Sequence, residues 1–418
     1  MPDHALWKRR TALFLTSQVL SLFGSLLVQY ALFWYVTLTT RSGWMMTLYI
    51  LCGFLPTFLM APFAGVWADR MDRKKLIILS DGAIAVATLA LAFVFMAGGT
   101  VLWLVMLAAA VRALGQAVQG PAVGALLPQF VPQEQLTRVN GISGMLQSGT
   151  TIASPVLAGS LLTVWPMQKV FFLDVGTAAL AIAILVFFLR VPPHEKAGKP
   201  QTVSYFGDLK LGFRYILEHR FLVPFFAFLG ILLFLFAPAA FLTPLQVART
   251  FGGEYWRLTA IEVVFAAGMV AGGAAVAAWG GLRNRIHTMA LSGLVMGICT
   301  ILLGLMPDFR VYLVPMAVFG IAMPFYNTAA TVLLQEHVEP DYLGRVFSLF
   351  TMLATSAMPL GMLVFGPLAD VITVEVLLVV SSALMVIPGL WMYVDKCLNA
   401  APRTLASSAY QMQTGDCA

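Results

Sequence analysis

Arg112 is the residue whose position asks most of its surroundings. It falls near the middle of a long apolar run, about residues 101–126. A guanidinium at mid-bilayer costs roughly 2.5–3.5 kcal/mol on insertion scales. From that depth it cannot easily reach either water layer. It must point inward, toward water or a carboxylate. Four carboxylates lie within or at the ends of apolar runs: Asp81, Asp174, Glu262 and Asp370. Such groups can carry protons, hold ion pairs or sit at an interface. Glu262 is the first choice as proton carrier, because Gly268, Gly272 and Gly273 come after it and permit close helix packing.

Other polar side chains recur at helical spacing. Gln116 and Gln119 continue the face of Arg112. Gln18, Ser21, Ser25 and Gln29 share one face of the first apolar run. Asn327, Thr331 and Gln335 share a face of the tenth. Two readings are open. The stripes line a partly polar cavity between the halves, or they join helices by hydrogen bonds.

The elements that must carry these residues are membrane helices. The chain has 418 residues, 60% hydrophobic and only 11% charged. Soluble domains carry about 25% charged residues, so a polytopic membrane protein is expected and a soluble enzyme is not. A spanning helix needs about 20 mostly apolar residues. Twelve candidates are found, at about 11–38, 44–68, 76–98, 101–126, 141–165, 170–190, 221–247, 259–281, 286–306, 311–334, 346–370 and 375–394. The runs are continuous and not alternating, which argues against a membrane barrel. The first run comes after Lys8, Arg9 and Arg10 and is too long for a signal-peptide core, so it should remain as the first span.

Twelve spans put both termini on one side. Of the 25 Lys and Arg residues, Arg41, Lys169, Arg249, Arg257 and Arg310 fall on the opposite side, and Arg112 falls inside a span. The rest share the side of the termini, which should therefore be cytoplasmic. The formal charge of +6 is a topology signal and does not suggest a nucleic-acid partner. Residues 191–220 are the longest internal polar stretch, and Ser204 to His219 reads as a short amphipathic helix on the membrane surface. We therefore expect a six-helix bundle over 1–190, a cytoplasmic linker over 191–220, a second six-helix bundle over 221–394 and a disordered cytoplasmic tail over 395–418.

Several chemistries find no residues. The five histidines fall in expected cytoplasmic segments, and the four cysteines have no metal spacing. No metal site and no cofactor are expected. No Gly-x-x-x-x-Gly-Lys-[Ser/Thr] loop for ATP exists in the chain. Energy should come from an ion gradient or from another subunit. A membrane-embedded enzyme is a distant alternative.

The turn between the second and third runs is the most charged. Gly65, Asp69, Arg70, Arg73 and Lys74 stand in the pattern Gly-x-x-x-Asp-Arg-x-x-Arg-Lys. This resembles the signature loop of the major facilitator superfamily, with Asp72 where Gly is usual. The resemblance implies an all-α integral membrane protein with the major facilitator fold, twelve transmembrane helices in two six-helix pseudo-repeats. It also implies a gating latch, in which Asp69 engages the start of span 11 near Gly344 and Arg345; a charge cluster that only fixes topology is the other reading of the loop. Arg112-Ala-Leu-Gly115 loosely resembles the fourth-helix motif whose Arg is associated with proton transfer. A structural ion pair is the other reading of Arg112. Ser154, Pro155 and Gly159 resemble the antiporter motif of the fifth helix, with Ser154 where Gly is usual.

Longer phrases are similar to bacterial macrolide-efflux proteins of the Mef type. Among them are Val131-Pro-Gln-Glu-Gln-Leu-Thr137 and Pro340-Asp-Tyr-Leu-Gly-Arg-Val-Phe-Ser-Leu349. In that group Asp is usual at the position of Asp72. The resemblance implies a proton-driven secondary exporter of macrolide-like or other bulky amphipathic drugs in the bacterial cell (inner) membrane. A siderophore or metabolite exporter of the same fold is the alternative. Phe33, Trp34, Phe325 and Tyr326 could contact such a cargo or simply pack. The expected partners are that cargo, protons and the lipid bilayer, with no nucleic acid. The chain is expected to act as a monomer, and association with an ATP-binding partner is left open.

Overall fold

The structure is a computed structural model and describes residues 4–99, 102–189, 205–282 and 284–394. Among the described residues every regular element is helical. Lipid explains this: it offers the backbone no hydrogen bonds, so each spanning segment must satisfy its own. The helices are α1 (His4–Thr40), α2 (Gly43–Arg70), α3 (Arg73–Met96), α4 (Leu102–Leu126), α5 (Gln133–Val164), α6 (Met167–Ala183), α7 (Tyr205–Glu218), α8 (Leu222–Phe241), α9 (Thr243–Gln246), α10 (Tyr255–Trp279), α11 (Arg285–Leu305), α12 (Phe309–His337), α13 (Pro340–Leu368) and α14 (Val374–Val394). Wider π-type turns extend α6 over Ile184–Phe188 and α9 over Val247–Phe251.

Ten of these segments are long and apolar enough to cross a membrane. The two remaining expected spans are also helices. α5 runs for 32 residues and begins with a polar turn, Gln133 to Arg138. α14 contributes the apolar stretch Val374–Ile387.

The contacts divide the chain into two compact units. The first holds α1, α2 from Leu48 onward, α3 to α6 and Glu254–Thr259. The second holds Arg41–Thr47, α7 to α9, α10 from Ala260 onward and α11 to α14. In the first unit α1 packs on α5 and α6, and α3 packs on α4 and α6. One end of that unit is closed by an apolar cluster that includes Phe14, Leu76, Ile77, Leu126, Phe130 and Leu189. In the second unit α11 packs between α12 and α14, and α8 packs on α13 and α14. Glycines bring α10 and α12 into backbone contact. A Cβ on Gly268 would stand 2.4 Å from the Ala317 carbonyl, and one on Gly320 would stand 2.4 Å from the Phe265 carbonyl. Small residues at such crossings are a usual route to close helix association in membranes.

The linker helix forms where the polar stretch suggested it. Within the second unit α7 docks on the first turn of α13. The Tyr215 ring stacks on Tyr342 with centroids 4.3 Å apart, and the Tyr215 hydroxyl accepts from the Glu339 N–H at 3.2 Å. α7 also exposes Leu211, Phe213 and Leu217. The linker before Tyr205 and the tail after Val394 lie outside the described residues.

Candidate functional site

Four helices of the first unit converge on a buried polar cluster. α4 supplies Arg112 and Gln119, α3 supplies Asp81 and Thr88, α1 supplies Ser21 and the Ser25 carbonyl, and α6 supplies Asp174. Arg112 is 3% exposed and Asp174 is 1% exposed. The Arg112 Nη1 donates to Asp174 Oδ2 at 2.8 Å and also to the Thr88 hydroxyl. Its Nη2 donates to the Ser25 carbonyl at 2.8 Å. Thr88 in turn donates to Asp174 Oδ2 at 2.8 Å, so the three side chains form a closed set. A mid-membrane guanidinium needs such a partner and such hydrogen bonds.

Asp81 forms the second half of the cluster. It lies seven residues before Thr88, so both share a face of α3 and stand about 10 Å apart along it. Asp81 Oδ1 accepts from the Ser21 hydroxyl at 2.6 Å and from Gln119 Nε2 at 2.7 Å. These donors are neutral. Asp81 is 1% exposed. Asp81 Oδ2 and Asp174 Oδ1 are both buried and have no hydrogen-bond partner among the described residues. The cluster thus holds two carboxylates and one guanidinium, which pairs with Asp174. With both ionised the cluster carries one negative charge beyond what Arg112 balances. A single proton restores the balance.

Asp81, Asp174 and Thr88 are therefore as central as Arg112, and Glu262 is not part of this cluster. Glu262 sits half-buried on α10 in the second unit. One signal in the sequence could have ranked Asp81 higher: its seven-residue spacing from Thr88, a second polar residue on the same apolar helix. The partner of Arg112 had no such signal.

The other expected site residues are more dispersed. Ser25 is buried, Gln18 and Gln116 are half-buried, and Gln29 and Asn327 are exposed. Ser154, Pro155 and Gly159 are buried on α5, where the Ser154 hydroxyl donates to the Thr150 carbonyl of its own helix at 2.7 Å. The charged turn is built of helix ends. Asp72 caps α3 by accepting from the Lys75 N–H at 3.2 Å, which gives a local reason for Asp in place of Gly. Arg73 donates to the Ala68 carbonyl at 2.9 Å and to the Ala125 carbonyl at 2.8 Å, and Lys74 donates to the Leu189 carbonyl at 2.8 Å. These cations satisfy carbonyls left open where α2, α4 and α6 end. Gly65 is half-buried and Arg70 is exposed. Arg345 places its guanidinium over the Tyr342 ring at 5.6 Å. The Asp69 side chain, on which the expected latch depends, lies outside the described residues.

A family model described as Major Facilitator Superfamily matches residues 11–362. The chain belongs to the major facilitator superfamily. Within the superfamily it is 33% identical to Macrolide efflux protein A of Streptococcus pyogenes, over 91% of this chain and 94% of that protein. It is 24% identical to the enterobactin exporter EntS of Shigella boydii, over 81% of this chain and 80% of that protein. Among solved structures, the nucleoside transporter NupG superposes with a TM-score of 0.66 at 14% identity, covering 94% of this chain and 100% of that chain. This facilitator is thus a multi-pass membrane transporter by family and fold, and its relatives are not enzymes.

Proposed function

We propose that this facilitator is a secondary active exporter that expels macrolide-like or other bulky amphipathic drugs by alternating access, in exchange for protons. It works in the bacterial cell membrane with both termini in the cytoplasm. One observation carries the cargo: the match to Macrolide efflux protein A runs through nearly the whole chain. The coupling is supported by the excess negative charge of the buried cluster. Asp81 and Asp174 exceed Arg112 by one charge, and a proton is the smallest cargo that corrects it. Asp81 holds only neutral partners, so it is the group that binds and releases that proton.

The similarity to an enterobactin exporter favours a second reading, export of an anionic siderophore. In that reading Arg112 would meet the cargo. Its guanidinium is buried and already engaged by Asp174, Thr88 and the Ser25 carbonyl, which favours the first reading.

The test is a susceptibility panel in a pump-deficient bacterium, with macrolides set against catechol siderophores. Expression should raise macrolide tolerance, a proton uncoupler should abolish the gain, and siderophore sensitivity should not change. Arg112→Ala should lose the gain. If expression leaves macrolide tolerance unchanged, the cargo is wrong; if Arg112→Ala pumps normally, Arg112 has no part in the mechanism.

A further inference from the structure

The start of α2 is fastened by a second ion pair, well removed in sequence from the charged turn. Residues Arg41–Thr47 belong to the second compact unit, while α2 from Leu48 onward belongs to the first. The fastening is a carboxylate cap. Asp370, just past the end of α13, accepts from the Gly43 N–H at 2.8 Å, the Trp44 N–H at 2.9 Å and the Ser42 hydroxyl at 2.7 Å. A carboxylate suits the open N–H groups and positive end of a helix start.

Arg249, in the turn that extends α9, locks this cap. Its Nη2 donates to Asp370 Oδ1 at 2.8 Å and to the Arg41 carbonyl at 2.6 Å, and its Nη1 donates to the Ala369 carbonyl at 2.5 Å. Arg41 itself stands at φ +48°, a left-handed conformation that a non-glycine residue keeps only when its surroundings impose it. Burial pushes the Asp370 carboxyl up, but the bonds from Trp44, Ser42, Gly43 and Arg249 outweigh it and hold the group below the usual aspartate range.

Shape reinforces charge. A Cβ on Gly43 would stand 2.2 Å from the Gly366 carbonyl, and the Thr47 hydroxyl donates to the Met362 carbonyl at 3.0 Å. Backbone therefore lies on backbone, with nothing between. Yet the Arg249 and Asp370 side chains remain 31% and 30% exposed. Water can replace each partner as the other leaves. A fully buried pair would resist opening, whereas this one can exchange.

We propose that Arg249 and Asp370 form a reversible clip that holds the first turn of α2 on α13, and that the clip opens and recloses once in each transport cycle. The two residues position α2 and do not touch cargo. This rests on the proposed exporter function, but one arm of its test does not.

The experiment uses full-length protein in membrane vesicles, with Cys52, Cys299, Cys397 and Cys417 replaced. In the first arm, Met46→Cys is labelled by a water-soluble maleimide. Met46 is fully buried beside the clip. Adding Asp370→Asn should speed labelling at least tenfold, and Arg249→Lys should fall between. An unchanged rate in Asp370→Asn overturns the clip whatever the cargo is. In the second arm, Ser42→Cys with Ala369→Cys, which leaves Arg249 and Asp370 in place, is oxidised to a disulfide beside the clip. Uncoupler-sensitive macrolide efflux should fall to background and return on reduction of the same sample, which controls for folding. Full efflux from the cross-linked protein overturns the proposal. Efflux absent in both the oxidised and the reduced sample counts against the cargo, and the labelling arm then decides the clip alone.

Discussion

Removing one partner of the Arg112–Asp174 pair should cost far more stability than removing both. Asp174→Ala leaves a guanidinium that is 3% exposed with only Thr88 and the Ser25 carbonyl as partners. Breaking a buried pair from one side costs about 3–5 kcal/mol, because the remaining charge stays desolvated. Replacing both charges with apolar groups of similar volume is often neutral or stabilising by about 1–4 kcal/mol. The pair Arg112→Met with Asp174→Leu fills the same space between α4 and α6 and leaves Thr88 bonded to the Ile84 carbonyl of its own helix. The single variant should therefore unfold at much lower SDS mole fraction than the parent, by the equivalent of about 3–5 kcal/mol. The double variant should recover most of that loss. It should not recover macrolide efflux, since the proposed exchange needs Arg112 itself; the net charge of the cluster is the same with and without the pair. Equal destabilisation in the single and double variants would refute the assignment of a desolvated pair. A fully active double variant would show that the pair is packing and nothing more.

Asp81→Asn keeps a carbonyl oxygen for Ser21 and Gln119 but removes the excess charge, so folded yield should hold while uncoupler-sensitive efflux falls to background in everted vesicles. Arg73→Gln frees the Ala68 and Ala125 carbonyls together. Hydrogen bonds to a charged group contribute about 1.5–3 kcal/mol each, so unfolding titrations should show a loss of at least that size, and Arg73→Lys should rescue only in part. The clip should respond to acid in one direction. Asp370 sits below its ordinary value of 3.8, so its contribution is complete above that range and disappears as pH falls through the lower folded value. The ratio of Met46→Cys labelling to that of an exposed control thiol at the same pH, which cancels the loss of thiolate, should therefore be flat from neutrality down to about pH 4 and rise only below it; a rise in that ratio near pH 6 would refute the hydrogen-bonded assignment.

Much of this architecture is legible in the amino-acid sequence. Continuous apolar runs separated by charged turns mark where the helices lie, because lipid tolerates little else. Helix ends are less legible. α1 begins at His4 and α5 at Gln133, both well before their apolar runs, since a helix can continue into water once it has started. Asp72 looks like a departure from a motif and is a helix cap. Arg112 announces that it needs a counter-charge but not which one. Helical periodicity places residues around their own axis and says nothing of which neighbouring helix they face. Asp174 can be chosen from four carboxylates only once α6 is seen beside α3 and α1, with Arg112 reaching it from α4. For Ser21 and Gln119, the side-chain bonds to Asp81 support the interhelical reading of the polar stripes.

The docking of α7 decides where this polypeptide can be divided. Tyr215 fastens α7 to the foot of α13, so the helix belongs structurally with the C-terminal unit. Two co-expressed fragments split just ahead of Tyr205 should reassemble, because α7 then stays on the fragment that carries its partner Tyr342. A break between Glu218 and Leu222 would strand α7 on the wrong fragment and leave Tyr342 without its stacked ring.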